Sequence, residues 1–158
     1  MQRIALPVLP GGQSGPPLCP SAQPDMAESA VFGVVLGTAL EPAVAYLEAP
    51  VALTAPEFAG LSTSGPLKAT QYLRLSARCE EGQCLHFDGS RCRLATRVAT
   101  QLPKVVAVLP KCPIRTDCRW FHQEGPGVCF RCPQVITESY APSQELAQVA
   151  LPPEGNLA

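Results

Sequence analysis

Apolar and polar positions change rhythm along the chain. Val31-Phe-Gly-Val-Val-Leu-Gly37 and Ala43-Val-Ala-Tyr-Leu-Glu48 are short, β-branched-rich runs, punctuated by Thr38-Ala-Leu-Glu-Pro42. This pattern predicts an antiparallel pair of strands. Gln71-Tyr-Leu-Arg-Leu-Ser-Ala77 alternates polar and apolar residues, which predicts a third strand. Pro56-Glu-Phe-Ala-Gly-Leu61 reads as one helical turn. From Arg93 to Leu102 the period lengthens, with apolar residues at 94, 95, 98, 99 and 102. That is helical spacing, and Pro103 stops it. Gln134-Val-Ile-Thr-Glu-Ser-Tyr140 reads as a closing strand.

The flanks lack such patterning. Residues 1–28 hold six prolines, with Gly-Gly at 11–12 and scattered Ser and Gln. This composition buries too little apolar surface to offset the entropy of ordering, so a flexible tail is expected. Residues 141–158, with Pro142, Pro152 and Pro153, read as a second flexible tail that could hold a short helix near 143–149. Between them lie a β-rich subdomain over 29–78 and a cysteine-rich lobe over 79–140. The expected fold is α+β: a small N-terminal antiparallel sheet packed against a cysteine-rich, metal-stabilised lobe with one short helix.

Composition narrows the function. Of 158 residues 16% are charged and 18 are proline, against about 25% charged in ordinary globular domains. The core should be modest and partly held by something other than packing. A net charge of −1 supplies no global field for nucleic acid or an anionic membrane. The apolar stretch from Val31 to Leu40 is far shorter than the ~20 residues of a bilayer span. Residues 1–10 are cut by prolines and lack a secretory apolar core. A cytoplasmic location is therefore expected, where clustered cysteines point to metal rather than to disulfides.

Residues 79–132 contain seven of the eight cysteines, spaced Cys79-x4-Cys84-x7-Cys92 and, after nineteen intervening residues, Cys112-x5-Cys118-x10-Cys129-x2-Cys132. Disulfide pairing is the first alternative, opposed by the expected compartment. Structural zinc is the second. It favours short C-x2–4-C loops, and only Cys129-x2-Cys132 is clearly of that kind. Cys112-x5-Cys118-x3-His122 resembles the tail of a CCCH zinc finger, but the preceding cysteine is too distant. The third is iron–sulfur ligation, which the spacing favours. A cubane offers four separate iron corners, so its ligands can come from distant loops. Cys112-Pro113 and Cys132-Pro133 resemble the Cys-Pro step that ends the bacterial ferredoxin run.

Cys112, Cys118, Cys129 and Cys132 form a complete four-thiolate set for a first cluster. Cys79, Cys84 and Cys92 need a fourth partner for a second cluster or metal. His86 is the first candidate; Cys19, Asp88 or an external molecule are the others, and Cys112 could also complete this set. Trp120 and Phe121 would screen a cluster from water, and Arg119 and Arg131 could offset its charge. No nucleophile–base pair, phosphate loop or dinucleotide fingerprint appears. The expectation is thus an electron carrier or accessory protein rather than a stand-alone enzyme. It would hold one or two [4Fe-4S] clusters and serve a redox partner protein or a larger enzyme. The cysteine-rich window carries eight basic and five acidic residues, which favours an acidic partner surface. The alternative is a zinc-stabilised module that binds protein or RNA without a redox role.

Overall fold

The computed structural model describes residues 16–38, 41–54, 69–136 and 143–150. Strands β1 (Leu18–Cys19), β2 (Ala30–Gly37), β3 (Pro42–Ala52) and β4 (Leu73–Arg78) form one antiparallel sheet in the order β1-β4-β2-β3. Among the described residues, five short helices accompany it: α1 (Ala69–Tyr72), α2 (Arg93–Gln101), α3 (Arg119–Glu124), α4 (Pro126–Cys129) and α5 (Gln144–Ala150). The fold is thus mixed α+β, with more helical turns than the expected one. No helix among the described residues is long and apolar enough to cross a membrane.

The expected β2–β3 hairpin is present, with Gly37 opposite Pro42. Gly37 has φ +77°, a conformation that L side chains resist. The third expected strand starts two residues late, because residues 69–72 are helical. The closing strand expected from Gln134 is not seen there. Cys132–Gln134 is a 3₁₀ turn with Pro133 in its first turn, and residues 137–140 lie outside the described residues, as does the helical turn expected at 56–61.

At the N-terminal end the structure departs from the expected flexible tail. Leu18 pairs with Arg78 and Cys19 with Ala77, Cys79 N–H donates to the Pro17 carbonyl at 2.9 Å, and Ala22 N–H donates to Leu75 O at 3.1 Å. The free edge of β4 offers unpaired backbone groups, and this proline-rich segment satisfies them. In the C-terminal flank the anticipated short helix is α5, and Leu146 and Val149 bury its apolar side.

Two cores result. Leu73, Leu75 and Ala77 on one face of β4 pack with Ala22 and Val31. The larger core lies in the lobe: Phe32, Ala95, Val98, Leu102, Ile114, Trp120 and Val128 pack with Cys92 and Cys118. Val31 serves the first core and Phe32 the second, because successive side chains of a strand point to opposite faces. Because β4 is covered on both faces, its polar residues Arg74 and Ser76 are buried as well.

Candidate metal centres

The eight cysteines separate into two groups of four. Cys19, Cys79, Cys84 and Cys92 line a cavity of about 250 Å³. Cys112, Cys118, Cys129 and Cys132 line a narrower one of about 20 Å³. No disulfide joins any of them. Trp120 lines both cavities, and a parallel bridge pairs Leu18 with Cys118, so the two groups are neighbours.

Different local devices hold the first group. The β1–β4 pairing sets Cys19 beside the strand that leads into Cys79. Cys84 ends a 3₁₀ turn over Glu81–Gln83. Cys92 caps α2, its Sγ accepting from Ala95 N–H at 3.4 Å. Gln123 of α3 clamps the Cys92 backbone, since its Oε1 accepts from Cys92 N–H and its Nε2 donates to Cys92 O, both at 2.8 Å. Burial pushes the Cys19 thiol up to about 12, opposed by a Ser21 backbone hydrogen bond, and the neighbouring Cys92, Cys79 and Cys84 raise it further. Burial likewise raises Cys92, with Cys84 and Cys79 adding to the rise. These thiols are close enough to sense one another's charge.

His86 also lines the first cavity, but its Nδ1 lies 2.8 Å from Arg97 Nη2. Arginine can only donate, so Nδ1 accepts and the proton of the neutral ring resides on Nε2. Burial and then Arg97 lower its pKa, which favours that neutral form. A ligating imidazole instead ordinarily donates its second N–H outward. Cys19 is thus the better-placed fourth partner. Asp88 accepts from Ser90 N–H and Arg91 N–H in its own exposed turn.

The second group is held by the turns after Pro110. Cys118 caps α3, Cys129 ends α4, and Cys132 opens a 3₁₀ turn. Phe32, Tyr46, Trp120 and Phe121 line the same cavity. Burial raises Cys112 to about 11, opposed by an Ile114 backbone hydrogen bond, with Cys132 raising it and Arg74 lowering it. Burial also raises Cys118 and Cys129; a hydrogen bond from Arg115 opposes the rise at Cys129. Such neutral thiols release protons when they take up a metal.

The arginines that flank the cysteines in sequence are engaged elsewhere. Arg119 Nη2 pairs with Glu81 Oε1 at 3.2 Å, and the guanidinium lies over the Phe87 ring. Arg131 donates to the Leu102 and Gly127 carbonyls. Arg74, a polar position in the alternation of β4, is 0% exposed. Its Nη1 donates to Cys132 O at 2.7 Å and its Nη2 to Cys132 Sγ at 3.0 Å.

Among the described residues, no three His, Cys, Asp or Glu side chains converge tightly enough to hold a single metal ion. No family model matches the chain, and no curated protein or solved structure matches it either.

Proposed function

We propose that the chain is an iron–sulfur protein that holds two [4Fe-4S] clusters. Cys19, Cys79, Cys84 and Cys92 would bind one, and Cys112, Cys118, Cys129 and Cys132 the other. It acts as an electron carrier or as the small redox subunit of a larger enzyme, with the clusters supplying the one-electron chemistry and the protein their potential and docking. The observation that carries this reading is the division of all eight free cysteines into two complete quartets around two cavities. A tetrahedral zinc site would draw four sulfurs to about 2.3 Å from one point. Thiols that line a cavity without three of them converging on one point suit a polynuclear core, in which each corner iron takes one ligand; the second cavity, about 20 Å³, would widen to admit it.

The test is anaerobic purification of the full chain with iron, sulfide and zinc analysis. The expected result is a brown protein with about eight irons and as many labile sulfides per chain, four for each cluster. A colourless protein with stoichiometric zinc would replace this reading by the zinc-stabilised binding module. Eight thiols oxidised in pairs, without metal, would exclude both.

A further inference from the structure

The second quartet has a charge that its own ligands leave unexplained. Arg74 is fully buried at the sheet–lobe junction. Guanidinium does not deprotonate in proteins, and burying it without a counter-charge is strongly unfavourable. The ion pairs seen among the described residues join Arg91 to Glu124 and Arg119 to Glu81, and neither involves Arg74. Arg74 instead meets the Cys132 carbonyl, the Cys132 sulfur, the Pro20 carbonyl at 3.1 Å and the Phe32 ring face at 5.3 Å. A neutral thiol is a weak acceptor, whereas a metal-bound thiolate carries the missing negative charge.

Among the described residues, no guanidinium is hydrogen-bonded to a sulfur of the first quartet; Arg97, beside His86 at that cavity, donates to His86 Nδ1 and the Val149 carbonyl. The Cys92 sulfur accepts from a neutral backbone N–H at 3.4 Å, and Arg119 on the same cavity wall is paired with Glu81. The second quartet has a further cation on its cavity wall, Arg115, whose Nη2 donates to the Pro110 carbonyl. Among the described residues, a cation bonded directly to a cysteine sulfur is thus seen at the second site and not at the first.

We propose that Arg74 is the built-in counter-cation of the second quartet and makes the cluster held there the easier of the two to reduce. The inference rests on the iron–sulfur reading above. Reduction adds one negative charge to a cluster, and a charged N–H···S hydrogen bond stabilises that state more than the oxidised one. A buried, low-dielectric setting strengthens the effect. Arg74 acts through Cys132, so it is a positioning residue rather than a ligand. Because it also holds Pro20, next to Cys19, a purely structural role would disturb both sites, whereas a charge role moves one potential.

The experiment is a dithionite titration of the anaerobic full chain, followed by electron paramagnetic resonance. Cys132→Ser identifies the second-site signal by its loss. In the wild type this signal should appear at the higher potential. Arg74→Gln should move it to more negative potential while leaving the first-site signal in place, and Arg74→Lys should restore part of the shift. If Arg74→Gln does not fold, Arg115→Gln protein carrying isotope-labelled arginine must still show nitrogen coupling to the second cluster. Full iron with the potentials unmoved in Arg74→Gln, a second site at the lower potential, or no nitrogen coupling would overturn the inference alone. A wild-type chain without iron would overturn the parent reading, and this one with it.

Discussion

At the scale of single residues, the main difference lies between Cys19 and His86. Cys84-Leu-His86 looks like a ligand pair in sequence, yet the side chain that faces Cys79, Cys84 and Cys92 from another strand is Cys19. Sequence proximity favoured His86; Arg97 engages its Nδ1 instead. On the iron–sulfur reading, Cys19→Ser should therefore lower iron content by about half, the loss of one of the two proposed clusters, while His86→Ala should keep full iron. Iron analysis of the two purified variants checks this, and a reversed result would return His86 to the ligand set. The signal for Cys19 was the even count of eight cysteines, which leaves one unassigned when seven fall in one window.

At the scale of elements, helices α2 and α3 are joined by a polar cluster. Glu124 Oε1 accepts from Thr96 Oγ1 at 2.7 Å, Gln123 Nε2 at 2.9 Å and Arg91 Nη2 at 3.1 Å. Burial alone would raise its pKa, but the hydrogen bonds from Gln123 and Thr96 and the Arg91 charge together lower it. A carboxylate with a depressed folded-state pKa stabilises the protein above its unfolded value of 4.5. That contribution is lost as pH falls through the lower folded value. Melting curves of wild type and Glu124→Gln should thus differ at neutral pH and converge as the pH falls below 4.5 and through the lower folded value. A constant gap would detach Glu124 from the acid response. The helix α2 and the β2–β3 hairpin were legible because a local period and a Pro-punctuated turn suffice to specify them. The short β1 was not, since two residues in a proline-rich segment carry no periodic signal.

At the scale of the whole molecule, the lobe core gathers Cys92 and Cys118 with Trp120, Val98 and Ile114. Other candidate ligands, Cys112, Cys129 and Cys132, pack against it. If metal holds the two quartets, its binding energy is also folding energy. Chelation under reducing conditions should therefore abolish the near-ultraviolet circular dichroism of the buried Trp120 and lower the melting temperature, and returning iron and sulfide should restore both. An unchanged spectrum and melting curve after complete metal removal would show that side-chain packing alone maintains the lobe.

Taken alone, the chain's residues determined the hairpin, the third strand, the helix after Cys92 and the four-thiol grouping from Cys112 to Cys132, because each depends on neighbours close in sequence. Tertiary structure decided that Cys19 joins Cys79, Cys84 and Cys92, and that Arg74 is buried against Cys132. Both depend on strand β4, whose edge captures β1 and whose second face is covered by the lobe. Alternation along a strand records which residues share a face; what lies against that face is set by chain segments far away in sequence.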